Sequence, residues 1–475
     1  MSSSPSDIRS ADASSRPVKA EPPVRRVLVF CIIALALMMM AIDGTIVATV
    51  LHTLQRGLDT TINWAGWTIT AYSFGFVVML PISGKLAERY GRRKVFIGSV
   101  CAFTITSLLC GLADNIFVLI ALRALQAAGG AGFTPSATGI IVDHFGDARD
   151  RAVSLFGSIF PIGAMIGPIF GGLFVTYWSW RWAFYVNVPI GIVVVLLALK
   201  HMPHDKPRAK KARSHPDIPG VVLMGVGILV GMLSVSVLGE QGLPAGLPAF
   251  AGLFVMAAVL AWAFFRHIGR ASNPFIAPRL INGPGFGVVN LVNSIFGGLS
   301  QGAIVLVPLY AANRYGIDAL GAGTLLIAQG AAAVVFSVAS ALALRRTGHR
   351  LPLRVGSAVI VLGLVLIAIK PPFGIAPYLW LVVATFLVGA GGGTINPPSR
   401  NAGLQLAPEN SSTLAALRTL SLQIGSISAV SIVTAALAGS GNPGLLQAWT
   451  YAVGAAILVL AMPLISRVPE HHGAW

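Results

Sequence analysis

Two ionisable residues sit where ions are expensive. Asp43, in "AIDGTIVATV", lies in an otherwise apolar stretch, eight residues before Leu51. Arg123, in "ALRALQAAGGA", lies eight residues past Asn115 in another. A charge at mid-membrane depth costs roughly 2.5–3.5 kcal/mol on insertion scales, so each needs a partner or a task. At helical rise both are about 12 Å from the same end of their helices, so an ion pair between them is geometrically allowed. A buried carboxylate beside an arginine can bind and release a proton. Burial favours the neutral acid, the cation favours the carboxylate, and a change of access shifts the balance. The plainer alternative is a static pair that only orients two helices. Arg418 is the second cation inside an apolar stretch. It lies about two turns from the helix end, where it either snorkels or lines a cavity. Gln126, Asn290, Asn293, Gln301, Gln329, Asn396 and Gln423 are polar residues in apolar stretches. Hydrogen-bonding glue between helices is the ordinary role for such groups. With Arg418 they are also the candidates to line a substrate cavity.

The elements that must position these groups are membrane helices. Of 475 residues 55% are hydrophobic and 10% charged, and the mean hydropathy is +0.79. Soluble proteins carry about 25% charged residues. Fourteen apolar stretches are long enough to span a bilayer. With the N-terminus in the cytoplasm, nearly all lysines and arginines outside the spans fall in cytoplasmic segments, and only Arg56, Arg181, Arg314 and Lys370 fall outside. This positive-inside bias fits an even number of spans with both termini cytoplasmic. The net charge of +17 therefore reflects topology rather than nucleic-acid binding. Cys31, Cys101 and Cys110 are odd in number and lack paired spacing, which argues against disulfides or a metal site. Residues 1–24, rich in Ser, Pro and Arg, read as a disordered tail. Residues 206–213 ("KPRAKKAR") suit anionic headgroups.

An internal repeat divides the chain. Arg89-Tyr90-Gly91-Arg92-Arg93, after span two, matches Arg346-Thr347-Gly348-His349-Arg350, after span ten. The same offset carries the start of span one to that of span nine. The expected organisation is therefore a tail (1–24), a six-helix half (25–201), a linker with two inserted helices (202–282), a second six-helix half (283–466) and a short cytoplasmic tail (467–475). Two parallel halves around a midplane cavity are transporter architecture. The loop "GKLAERYGRRKVF" either serves topology alone or forms a gate, in which Glu88 or the nearby Asp143 would pair with Arg89, Arg92 and Arg93 in one conformation and release them in another. Gly84 and Gly91 permit close packing and the turn. Solvated pairs are worth little, which suits a reversible latch. The segment "GAMIGPIFGGLF" holds Gly163, Gly167 and Gly171 on one helix face, with Gly172 beside them. Small residues at that spacing let helix backbones approach in lipid, and Pro168 predicts a kink.

These segments together resemble one family, the fourteen-helix drug:proton antiporters of the major facilitator superfamily. "AIDGTIVATV" is similar to its Asp-x-Thr-Ile-Val signature. "GKLAERYGRRK" is similar to the superfamily loop Gly-x-Leu-Ala-Asp-Arg-x-Gly-Arg-Arg-Lys. "ALRALQAAGGA" is similar to the Arg-x-x-Gln-Gly motif, and "GAMIGPIFGG" to the antiporter motif Gly-x-x-x-Gly-Pro-x-x-Gly-Gly. "WSWRWAFYVNVPIG" resembles a stretch typical of the fourteen-helix branch. The chain departs at Glu88, where the loop motif has Asp, at Ala127, where Gly follows Gln, and at 48–52. The resemblance implies an all-α fold of two six-helix halves plus two inserted helices, with spans one and four neighbours. It implies that the loop acts as a gate and that the glycine motif limits leak while the halves rock.

The expected function is a proton-coupled efflux antiporter of a bacterial inner membrane, driven by the proton gradient without a cofactor. It would export small hydrophobic or amphipathic compounds by alternating access, with or without a periplasmic adaptor. One deep acid against two arginines argues for neutral, monovalent or anionic substrates over dications. Proton symport is the alternative within the fold. An enzyme would need His, Asp, Glu or Ser clustered at one depth, and the sequence has none. A scaffold has no reason to keep Asp43 and Arg123.

Overall fold

The computed structural model describes residues 25–60, 62–205, 217–241, 245–272, 274–317, 319–437 and 440–472. The expectations for residues 1–24 and 206–213 lie outside the described residues, as does the side chain of Pro168 on which the kink rests. The described chain is helical. α1 is Arg26–Gly57, α2 Ile62–Tyr90 and α3 Arg92–Leu112. Span four is α4 (Ile116–Gly130) continued by α5 (Phe133–His144). α6 is Arg149–Tyr177, followed by a short α7 (Trp182–Tyr185) and by α8 (Asn187–His201). α9 is Ile218–Gln241, α10 Leu247–Arg270 and α11 Pro278–Asn282. Span nine is broken into α12 (Phe286–Val292), a π-helical turn (Asn293–Gly298), α13 (Leu299–Val305) and α14 (Val307–Tyr315). α15 is Ala319–Thr347, α16 Arg350–Ala368, α17 Pro377–Leu404, α18 Ser411–Leu437 and α19 Pro443–Ile465.

Thirteen spans among the described residues are long and apolar enough to cross a membrane. The remaining expected span is α9, whose apolar run over the described side chains, Ile218–Ser234, is shorter. Its N-terminus is capped by Asp217, whose Oδ1 accepts from the Gly220 N–H at 3.0 Å. The carboxylate also accepts from the Phe275 N–H at 2.8 Å and lies 2.6 Å from His267 Nε2. Burial alone would push this carboxyl up. The hydrogen bonds from His267, Phe275 and Gly220 outweigh burial and hold it below the usual range.

Packing follows the pattern of small residues. α6 lies along α1, and a Cβ on Gly163, Gly167 or Gly171 would strike Ala41, Thr45 or Thr49 respectively. Gly172 faces open space and is outside the contact. One buried core joins α1, α3, α5 and α6 to residues of α10 and the α10–α11 connection, and a second joins α12 to α19. The two are sewn together by α2 and α5 against α18 and by α6 against α15 and α17, while α9 packs on α10, α2 and α18.

Trp64, Trp178 and Trp182 are exposed, whereas Trp180 is not. It is buried, with its indole against Gly57 and its ring under Arg181. The "NPPS" run does not end span twelve. α17 instead runs through Pro397 and Pro398 to Leu404, and Arg400 is buried within it. A membrane helix tolerates proline where neighbouring groups satisfy the freed carbonyls.

Candidate functional site

α1 delivers Asp43 into a core closed by α2, α3, α4 and α8. Asp43 is 0% exposed and Arg123 1%. Arg123 Nη1 donates to Asp43 Oδ2 at 2.8 Å. Asp43 Oδ1 accepts from Gln126 Nε2 at 3.0 Å and from Asn187 Nδ2 at 2.8 Å. Ser107 Oγ accepts from the same two amides at 2.9 Å each and donates to the Phe184 carbonyl. Arg123 also donates to Gln126 Oε1 at 2.7 Å and to the Thr68 carbonyl at 3.4 Å, and its guanidinium lies 4.2 Å from the centre of the Tyr72 ring. The carboxylate thus takes three donors and one counter-charge with no access to water. α4 places Arg123 and Gln126 one turn apart on one face. It is started by Asn115, whose side chain accepts from the Phe117 and Val118 N–H groups. The glycine face of α6 sets the other side of α1, with Gly167 against Ile42 and Thr45 on either side of Asp43. Gln126, a cavity candidate by sequence, belongs to this cluster. Asn187, Ser107 and Tyr72 were not singled out from the sequence. Asn187 is one amide in an apolar run and carried a signal, but Ser and Tyr are too common in such helices to stand out.

A second cluster lies at the end of the bundle that carries the α2–α3 connection. Gly91 starts α3 at φ 108, a conformation that favours glycine. A Cβ there would meet the Asp205 carboxylate, which accepts from the Arg93 and Lys94 N–H groups at 2.8 and 3.4 Å. Arg93 reaches the Leu199 carbonyl at 2.7 Å. Arg92 is buried, pairs with Asp143 at 2.7 Å, bonds the Gly139 carbonyl and reaches the Glu409 carbonyl at 3.5 Å. Glu88 Oε1 accepts from the Thr413 N–H at 3.0 Å, across to α18. Gly84 lets α2 sit on α18, since a Cβ there would stand 3.0 Å from the Ser412 carbonyl. Arg89 is exposed and stacks on Tyr90 at 5.5 Å. At the same end, Asn401 Nδ2 bonds Ser154 Oγ at 2.8 Å, and Arg345 lies 3.7 Å from Asp150 and bonds the Asp147 carbonyl.

A small cavity of about 20 Å³ sits just inside this seam, with Asn290, Ser399, Arg400 and Arg418 in its wall. It has room for about one water. Arg418 does not snorkel. It is 8% exposed and donates to Ser399 Oγ at 2.9 Å and Asn396 Oδ1 at 3.3 Å. Arg400 Nε donates to the same Asn396 oxygen at 2.9 Å. Asn290 bonds the Leu280 and Ile281 carbonyls, and Asn293 bonds the Val289 carbonyl at the start of the π turn. Gln301 is exposed, Gln329 and Gln423 are half-buried, and none of the three lines this cavity. Among the described residues no three His, Cys, Asp or Glu side chains converge as a metal site would require.

The chain matches the family model of the Major Facilitator Superfamily over residues 33–430 and 289–474. It is 30% identical over 401 residues to a multidrug resistance protein B homolog of Mycobacterium tuberculosis, covering 82% of this chain and 72% of the relative. Other relatives at that identity are matched over 47% to 60% of their own length. It is 28% identical over 475 residues to a cephamycin export protein of Amycolatopsis lactamdurans, covering 97% and 95% of the two chains. The human organic anion transporter MFSD10 has the same fold, with a TM-score of 0.68 at 15% identity over 94% of this chain and all of that one. These matches, with the helical bundle and its multiple membrane spans, identify a multi-pass membrane transporter of small molecules and not an enzyme. The chain belongs to the major facilitator superfamily.

Proposed function

We propose that this transporter is a proton-coupled antiporter that exports small hydrophobic or amphipathic compounds across a bacterial inner membrane, with both termini cytoplasmic. Its energy source is the proton gradient, and it needs no bound cofactor. The observation that carries the reading is Asp43, a fully buried carboxylate held by one arginine and two amides. A proton arriving on Asp43 removes the counter-charge of Arg123 and one acceptor site, so the cluster must rearrange. α2 connects that event to the far end of the bundle. Its Thr68 and Tyr72 hold Arg123, and its Gly84 and Glu88 rest on α18 about 18–30 Å away along the helix. Proton release then favours one packing of α2 on α18 and uptake another. The ties across the α2–α3 end fit a conformer closed towards the cytoplasm. The names of the relatives support export over uptake.

The test is reconstitution into liposomes with an imposed pH gradient, screening lipophilic compounds for substrate-dependent proton flux. Flux that runs out as substrate runs in supports antiport. If no compound moves protons, or if Asp43→Asn couples as well as the native protein, the reading fails.

A further inference from the structure

We propose that Arg400 and Arg418 form a binding subsite for the anionic head of an amphipathic organic substrate, a carboxylate or sulfonate, loaded from the α2–α3 side. The inference rests on the transporter reading above and names a substrate class for it.

Three observations support it. First, both guanidinium groups are more than nine-tenths buried, yet among the described residues neither forms an ion pair. They share one neutral acceptor, Asn396 Oδ1, at 2.9 and 3.3 Å. Arg418 Nε has no hydrogen-bond partner. Desolvating a guanidinium costs several kcal/mol even after relaxation, and two like charges on one oxygen also repel. A neutral amide and a hydroxyl do not compensate this, whereas an anion does. The Asp43–Arg123 site shows how the same protein neutralises an arginine where no ligand is needed.

Second, most of the remaining wall is apolar, with Thr138, Asn290 and Ser399 as its uncharged polar members. Phe286, Val289, Leu404 and Leu414 line the cavity beside the two arginines. A cationic patch against an aliphatic and aromatic wall matches a molecule with an anionic head and a hydrophobic body. Third, the cavity wall draws on α5, α6, α12, α17 and α18, so it lies on the seam that must part in alternating access. Asn401 and Ser154, each next to a lining residue, tie that seam shut at 2.8 Å. At about 20 Å³ the closed cavity excludes an organic anion. Parting the halves at this end both exposes the arginines and makes room.

The test uses the purified full-length protein in nonionic detergent with two matched ligands, naphthalene-2-sulfonate and the neutral naphthalene-2-sulfonamide. Binding is read by calorimetry and by the shift in melting temperature. The sulfonate should bind and stabilise, and the sulfonamide should bind at least about tenfold more weakly. Arg418→Gln and Arg400→Gln should each raise the sulfonate Kd about tenfold or more, while Arg266→Gln, on the exposed face of α10, leaves it unchanged. Should the glutamine variants fail to fold, Asn401→Ala gives an independent answer. By loosening the seam it should lower the apparent Kd for the sulfonate several-fold. Equal binding of sulfonate and sulfonamide overturns the proposal. So does sulfonate binding indifferent to both arginines, or an unchanged Kd in Asn401→Ala. Equal stabilisation by inorganic phosphate would mark a site for small free anions and also overturn it. Because binding is measured without a pH gradient, arginine-dependent sulfonate binding without proton exchange keeps the subsite and sinks the antiport reading. Proton exchange without such binding does the reverse.

Discussion

Replacing Asp43 with Asn tests the buried cluster most directly. Asn has the same shape but no charge, and one of its two oxygen positions becomes an NH2 group. In the native site every partner of Asp43 is a donor, with Arg123 on Oδ2 and Gln126 and Asn187 on Oδ1. Whichever way Asn is turned, its NH2 faces a donor and one or two hydrogen bonds are lost. Arg123, 1% exposed, is left without a counter-charge. Removing one partner of a buried pair destabilises by about 3–5 kcal/mol. The double variant Asp43→Asn, Arg123→Gln removes both charges, so it should be more stable than the two single losses added together predict, with a coupling of about 1–3 kcal/mol. Thermal and denaturant unfolding in detergent of the four members of the cycle gives the coupling. Proton flux in liposomes gives the functional arm, where Asp43→Asn should abolish exchange at any expression level. A single variant within about 1 kcal/mol of native, or strictly additive losses, would refute a tightly coupled ion pair. Additivity with intact flux would also remove the basis for proton coupling.

Four further outcomes follow from the same geometry. Gly167→Leu must push α6 off Thr45 and Ile42 and should cost about 1–3 kcal/mol, whereas Gly172→Ala faces open space and should leave the melting temperature unchanged. If Gly167→Leu folds but leaks protons in liposomes, the stripe has a coupling role beyond packing. Gly91→Ala combines positive φ with a collision at Asp205, and should lower stability by about 1–2 kcal/mol and raise proteolysis of the α2–α3 connection. His349, at the start of α16, is pushed down to about 4 by burial, against the pull of Glu470. The unfolded chain therefore binds the proton first, so the stability His349 contributes is present above about pH 6.5 and is lost as pH falls towards 4. Melting curves over that window should show a fall that His349→Gln reduces.

Much of the architecture was legible because lipid imposes simple rules. A span must be apolar for about 20 residues, and basic loops stay inside, so composition and loop charge alone located the helices. Asp43 and Arg123 were legible as a possible pair because an ion in lipid is conspicuous and helical rise fixes depth. Their amide and hydroxyl partners were not, since Asn187, Ser107 and Tyr72 look like ordinary packing residues until α3, α8 and α2 converge. The sequence located the basic loop and one partner, Asp143, which pairs with Arg92, but not the others, for Asp205, Thr413 and Glu409 are distant in the chain. The burial of Arg400 was not legible, because two prolines before it ordinarily end a helix, and local propensity yields where tertiary contacts satisfy the backbone.

The sequence by itself therefore determined the solvent, the approximate number and limits of the helices, and that Asp43, Arg123 and Arg418 carry charge into the membrane. Those features follow from the free energy of transferring each segment into lipid, which is additive along the chain. The tertiary structure alone decided which charges are neutralised and which are not. Asp43 meets Arg123 in a saturated cluster, while Arg400 and Arg418 meet each other across one amide. That difference depends on which helix faces which, and helix facing is set by packing between segments far apart in sequence.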